Sequence, residues 1–476
     1  MQLSCPPAGA CFRRILVVVS LVWGIVVPAS AQVSIQIVNG AQELAEPTTG
    51  ALIRGGVDTG YVTCSVVLVG CDVAITTAHC FNANPLELQF VYFQHAGFYA
   101  IESATRNPAY VAGLPPTIDW DALRVEDIAF IKLAEPVTGI TPSTLIGIDG
   151  LPIGTPGSIV GFGRDPITAA TAAIADYNVG IKRSGSMELA ACEGSLVGAD
   201  LLCWHPPAPQ GPTGTDVSTC DGDSGGPLFI EGAGVRVVAG VTKGRVIINE
   251  GQSDLCVPPA DPYDTKIVRH RAWLDGGTGS GGMVATTGAV PLATKQCSAL
   301  PQLDEDVASG DAFGDCHVED WGVGERVRTC GFSGFLDAGT PTAAHSFDVP
   351  PGTQLLRVAF NGIAESNGTI DTNYYLRAST PPTKLVYDCA ADGTGTLGYC
   401  EFENPAPGMW HVLAEETLYQ GEYQITVSTF AKTGMNPAAV PAMGSRARAA
   451  LLGLLLVSAL GLGFRHSRSR GGFQRR

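Results

Sequence analysis

An all-β architecture in two successive units is what this sequence predicts, on three observations. Short apolar or alternating runs recur at close intervals, turn-forming clusters separate them, and helical periodicity is nearly absent. Gly 59 and Pro 32 supply the punctuation between runs. A 45% hydrophobic content provides material for folded cores and excludes general disorder. The 476 residues suggest roughly three units at about 150 residues each, although all-β units of about 200–250 residues are common.

The elements follow in chain order. Arg13-Arg14, the apolar run Ile15–Val27 and Pro28-Ala29-Ser30-Ala31 read as a signal peptide over 1–31, cut after Ala31. Residues 32–36 form a short pro-segment. Within 37–275 the expected strands are Val62–Val69, Val73–Thr77, Leu88–Phe93, Ile128–Leu133, Ser158–Phe162, Leu228–Ile230 and Val235–Val241, closed by one helix, Ile267–Leu274. Gly276-Gly277-Thr278-Gly279 opens a Gly-rich linker, 276–296. A Cys-containing connector, 297–330, leads to a second β-rich unit, 331–430. Its expected strands are Ser346–Val349, Leu355–Phe360, Tyr374–Arg377, Lys384–Tyr387, Gly408–Ala414 and Gly421–Phe430. Residues 431–476 hold the apolar run Ala449–Phe464, then Arg465, Arg468 and Arg470. That run is marginal for a transmembrane anchor, with its basic flank on the cytoplasmic side. With Val440-Pro441-Ala442 upstream, it resembles the three-part C-terminal sorting tails of exported bacterial proteins, which implies envelope sorting machinery as a partner.

The net charge is −16. Both ends carry arginines and no acid, so the body between them is more acidic still. Such a body repels phosphate backbones, which argues against nucleic acid as a partner. Of the 14 cysteines, Cys5 and Cys11 leave with the signal peptide. An even number then remains for disulfides in an oxidising compartment, and no Cys-x-x-Cys pair suggests a metal.

Gly222-Asp223-Ser224-Gly225-Gly226-Pro227 is the segment most suited to chemistry. Glycines around a serine allow a tight turn that aims successive N–H groups at a developing oxyanion. The order Ser, acid, His of an α/β-hydrolase does not fit, because the better partners lie upstream. These are His79 in Thr77-Ala78-His79-Cys80 and Asp127 at the head of Ile128–Leu133. A serine hydroxyl needs an imidazole to take its proton, and the imidazole needs a carboxylate to fix its tautomer.

With these motifs in the order His, Asp, Ser, residues 37–275 resemble the trypsin/chymotrypsin-like serine endopeptidases. The resemblance implies a double β-barrel, with His79 as general base and acid, Asp127 orienting it and Ser224 as nucleophile. It implies an oxyanion hole from the Gly222 and Ser224 N–H groups, and the bridges Cys64–Cys80, Cys192–Cys203 and Cys220–Cys256. Gln36-Ile37-Val38-Asn39-Gly40 is similar to an activation site. Cleavage after Gln36 would free an ammonium on Ile37 to meet Asp223, which makes the chain a zymogen. Gln36 departs from the basic residue usual there, so the activating protease is unknown.

The substrate pocket would be formed by Ser218, Thr242 and Gly244. Ser218 at its floor implies an apolar or aromatic preference. The strand expected to read Ser-Trp-Gly is Val241-Thr242-Lys243-Gly244, one residue shorter, with Lys243 in place of the tryptophan or the serine. Asp221 adds a negative charge at the pocket mouth.

Six cysteines have no partner in that scheme, which leaves many connectivities open. Proximity favours Cys316–Cys330 and Cys389–Cys400, with Cys71–Cys297 tying the connector to the first unit. Ser346-Phe347-Asp348-Val349-Pro350-Pro351-Gly352 and Gly408-Met409-Trp410-His411-Val412 give 331–430 a resemblance to the small β-sandwich called the pre-peptidase C-terminal domain. No cofactor is expected. Glu365 and Asp371 could hold calcium, but solvated turn acids are the favoured reading. Protein or peptide substrates are the expected partners. The rival from another class is a surface binding or adhesion protein that keeps an inactive protease-like scaffold.

Overall fold

The structure, a computed structural model, describes residues 37–82, 88–110, 125–164, 179–193, 200–208, 210–232, 235–247, 256, 260–277, 296–305, 316–320, 325–337, 339–362, 372–393, 395, 397–416 and 421–432. The signal peptide, the pro-segment, nearly all of the linker, Glu365, Asp371 and the C-terminal tail lie outside the described residues. The transmembrane expectation is corrected: among the described residues, no helix is long and apolar enough to cross a membrane.

The all-β class holds. Six strands close into a barrel in the order Thr49–Arg54, Tyr61–Gly70, Val73–Thr76, Ala129–Leu133, Gly97–Arg106 and Leu88–Phe93. Tyr61–Gly70 is buried along most of its length because both faces meet protein, and so it reads as a continuous apolar run. Its Val66 and Leu68 fill the barrel with Leu52, Val91, Phe93 and Ile131. Gly97–Arg106 escaped the sequence reading because its second half, Ile101–Arg106, is polar and mostly exposed.

An eight-stranded sheet follows. Its order is Ala41–Gln42, Arg183–Glu188, Pro156–Gly161, Pro227–Gly232, Val235–Ile247, Ala260–Lys266 and Leu201–Cys203, with Thr144–Leu145 added parallel to Val235–Ile247. Ile159, Leu228, Val238 and Trp204 lie in the core behind it, joined by Leu274 of the helix Ile267–Gly277.

The last unit is two facing sheets. One holds Cys316–Asp320, Glu325–Leu336, Gly421–Lys432, Thr353–Gly362 and Leu397–Glu403; the other holds Thr342–Val349, Gly408–Glu416, Thr372–Ala378 and Cys389–Ala391. Alternate residues from both, among them Val358, Phe360, Leu376, Trp410 and Ile425, make a shared core. The end of the connector therefore supplies the edge strand Cys316–Asp320 of this sandwich and begins the strand beside it. Lys384–Tyr387 forms no strand. After Pro381-Pro382, which offer no N–H, the chain makes only a Thr383–Val386 bridge, and Leu385 stands 91% exposed.

The sandwich packs against the barrel. Leu397, Ala359 and Tyr399 join Tyr92, Ile53, Phe98 and Phe162 in one apolar cluster. Arg357 donates to the carbonyl of Thr138 (2.6 Å) and to its hydroxyl (2.7 Å). Gln424 exchanges hydrogen bonds with the backbone of Lys182, at 3.0 and 2.9 Å.

Candidate active site

His79 and Asp127 are delivered by adjacent strands. Val73–Thr76 and Ala129–Leu133 pair antiparallel with Thr76 opposite Ala129, so the residues just after the first and just before the second leave from the same barrel end. A single 3₁₀ turn, Ala78–Phe81, carries His79; its other residues, Ala78, Cys80 and Phe81, are buried and fix the turn. The Cys64–Cys80 disulfide ties it to the neighbouring strand.

Asp127 is fully buried. Its Oδ1 accepts the backbone N–H of His79 at 2.8 Å, and its Oδ2 lies 2.8 Å from His79 Nδ1. Burial opposes the charge on Asp127, but His79 and Lys243 outweigh it and hold the carboxyl well below the usual carboxylate range. The backbone bond and the ring bond together fix the imidazole plane. Nδ1 carries the proton in this arrangement, which leaves Nε2 free to act as a base.

Ser224 lies in the turn between Cys220 and the strand Pro227–Gly232. Its carbonyl accepts the Ser65 N–H at 2.9 Å and stands 3.8 Å from Cys80 Sγ. Gly225 donates to Thr242 at 2.7 Å. A side chain at Gly225, whose φ is +86°, would collide with Thr76 Oγ1 and the Ser65 carbonyl. This glycine is therefore what allows the serine loop to press against the strand leading to His79. Gly222, with φ +96°, turns the chain before the serine. Among the described residues no hydrogen bond joins Ser224 Oγ to the His79 ring.

Asp223 is buried beside this loop. Its Oδ1 accepts Gly163 N–H (2.8 Å) and its Oδ2 accepts Cys220 N–H (2.9 Å). Burial outweighs these bonds and pushes the carboxyl up to about 7. Ile37 is also buried, and Val38 bridges Ser218, whose N–H donates to the Val38 carbonyl at 3.1 Å. No hydrogen bond or ion pair joins Ile37 to Asp223 among the described residues.

Ser218 is fully buried, and its hydroxyl finds no partner. Thr242 is held by backbone bonds to Gly225 and Gly226, and Gly244 pairs with Tyr263. Asp221 is answered by Arg245, 3.1 Å away. Disulfides join Cys64–Cys80, Cys192–Cys203, Cys220–Cys256, Cys389–Cys400 and Cys71–Cys297. Cys330 is disulfide-bonded and lies opposite Cys316 in the strand pair, while the Cys316 side chain is outside the described residues.

Lys243, expected only to stand in for the tryptophan or the serine of its strand, and Asp264, for which the sequence raised no expectation, both lie near the site. Lys243 bonds Asp127 directly, at 2.8 Å. Asp264 is fully buried directly across from Thr242, and neither of its oxygens makes a well-formed hydrogen bond. Burial pushes its carboxyl well above the usual range, and the Thr242 hydroxyl offsets this only in part. The one sequence signal for Asp264 was an acid inside a strand-length run, Pro262-Tyr263-Asp264-Thr265.

Residues 37–254 match the trypsin family, and residues 341–415 match the bacterial pre-peptidase C-terminal domain. A solved structure that the chain is similar to is neuropsin, described as a serine protease expressed in the limbic system of mouse brain. It is 20% identical over 50% of this chain and 99% of that one, with a TM-score of 0.37. No curated protein sequence matches the chain.

Proposed function

Because the chain carries a trypsin-like serine peptidase domain over residues 37–254 and a bacterial pre-peptidase C-terminal domain over 341–415, we propose that it is an exported endopeptidase working through His79, Asp127 and Ser224. The observation that carries this reading is the Asp127 carboxylate gripping both the backbone and the ring of His79. In the proposed cycle His79 Nε2 takes the Ser224 proton as Oγ adds to the scissile carbonyl. The Gly222 and Ser224 N–H groups receive the oxyanion. The imidazolium then protonates the leaving amine, and water, deprotonated by the same imidazole, hydrolyses the acyl-enzyme and regenerates Ser224. Oxyanion donors of this kind are worth about 10²–10³ in rate.

Residues 1–31 serve as the export signal and the arginine-rich end as a sorting signal in this reading. The disulfides among the described residues agree with an oxidising destination. Activation follows cleavage after Gln36 by another protease: the new Ile37 ammonium pairs with Asp223, whose burial otherwise disfavours its charge. No cofactor takes part.

Ser218 is neutral, which favours apolar or aromatic side chains before the scissile bond. Asp264, buried opposite Thr242, favours a second reading in which a lysine or arginine is accepted. A peptide-library cleavage profile of the processed protein separates the two. The test of the peptidase reading itself is hydrolysis of an unfolded protein substrate, abolished in Ser224→Ala and in His79→Ala. Equal hydrolysis by the variants would point to a contaminant and to the inactive-scaffold rival.

A further inference from the structure

Lys243 sits where its strand breaks register. Thr242 pairs with Asp264 and Gly244 with Tyr263, so Lys243 is an extra residue with no cross-strand partner. A bulge of this kind re-aims a side chain. Here it turns the ammonium onto Asp127 Oδ2, 2.8 Å away, the same oxygen that receives His79 Nδ1 at 2.8 Å. Water screens this pair little, because the Asp127 side chain is fully buried and that of Lys243 is 18% exposed.

The other titratable groups facing the pair are Tyr110, following the strand Gly97–Arg106, and Tyr263 on Ala260–Lys266, with Arg106 acting on Tyr110 from outside. Burial disfavours the Lys243 charge, but Asp127 and then Tyr263 more than compensate, and the amine stays an ammonium. The Asp127 carboxylate is thus bound by three donors among the described residues, two of which compete for one oxygen.

We propose that Lys243 is a positioning residue of the hydrolytic site, fixing the Asp127 carboxylate and drawing part of its charge away from the His79 imidazolium. When His79 takes a proton, the stabilisation that Asp127 offers is shared with a cation already in place. The imidazolium therefore gives up its proton more readily, and the free base needed to activate Ser224 persists to lower pH. This inference rests on the catalytic reading of His79, Asp127 and Ser224.

The test compares kcat/KM against pH for the processed wild-type protein, Lys243→Gln and Lys243→Arg. Glutamine keeps a donor for Asp127 and removes the charge; arginine keeps both. The expected result is an acid limb displaced to higher pH in Lys243→Gln. At the foot of that limb the loss is about tenfold, the equivalent of one unit, and it is smaller on the plateau. Lys243→Arg keeps the limb near that of the wild type. A loss in Lys243→Gln by the same factor at every pH, or a shift in Lys243→Arg as large as in Lys243→Gln, overturns the proposal. If Lys243→Gln does not fold, Lys243→Ser gives the same readout with a shorter neutral donor. Fluorophosphonate labelling of the wild type keeps the two layers apart. A protein that labels with an unmoved limb defeats only the role of Lys243, whereas one that labels at no pH defeats the catalytic reading and this inference together.

Discussion

The phenol of Tyr92, on the barrel, donates to Asn361 Oδ1 of the sandwich at 2.6 Å, with both side chains fully buried. Asn361 in turn donates to Gln424, which bonds the Lys182 backbone. The sandwich is thus joined to the peptidase unit by a buried polar network set in an apolar cluster, and its removal would strip both. Tyr92→Phe leaves the Asn361 oxygen without its donor, at a cost of about 1–3 kcal/mol. Thermal unfolding of that variant is expected to show one transition, shared by both units, at a lower midpoint.

Asp223 makes the uncleaved chain sensitive to pH. Its folded pKa of about 7 lies above the ordinary 3.8, so the folded state holds the proton more tightly than the unfolded one. The resulting stabilisation is complete below the unfolded value and is lost as pH rises through the folded value, a change of up to a few kcal/mol. Denaturation of uncleaved Ser224→Ala is expected to show stability falling between about pH 4 and pH 7. Asp223→Asn is expected to remove its share of that fall, and in the processed protein the proposed Ile37 ammonium is expected to offset it. N-terminal sequencing of the active form should read Ile37-Val38-Asn39-Gly40.

For Asp264 the sign is the same. Burial raises its carboxyl well above 3.8, so its contribution declines as pH rises from the ordinary carboxylate range. Asp264→Asn is expected to gain stability against wild type at pH 7 and not at pH 4, read as the shift in denaturant midpoint. If the processed wild type cleaves after lysine or arginine, the same variant loses that preference.

The Cys71–Cys297 disulfide spans 226 residues and anchors the connector beside Glu305, which receives the Thr48 N–H at 2.9 Å. Replacing both cysteines by serine is expected to lower stability by about 2–5 kcal/mol, the usual effect of losing a native bridge. Chemical denaturation under non-reducing conditions measures it.

The order of the site was legible because each motif carries its own support. Buried neighbours hold the His79 turn, a strand start holds Asp127, and glycines permit the Ser224 turn. What depends on cross-strand register was not legible. The aim of Lys243 follows from a bulge that only the pairing of Thr242 with Asp264 and Gly244 with Tyr263 reveals. Asp264 looks like an ordinary strand-edge acid until three strands close around it. In the sandwich, apolar Lys384–Tyr387 resembled a strand, yet its side chains point to solvent after two prolines. Conversely, Gly97–Arg106 is a full barrel strand written half in polar residues.

The central claim is that the imidazole at position 79, aligned by Asp127, activates Ser224. Intact-mass analysis of the processed protein after treatment with a fluorophosphonate tests it most directly. The account predicts a single adduct on Ser224, absent in Ser224→Ala and formed far more slowly in His79→Ala. A folded, processed protein that acquires no adduct, or acquires it equally in all three proteins, contradicts it.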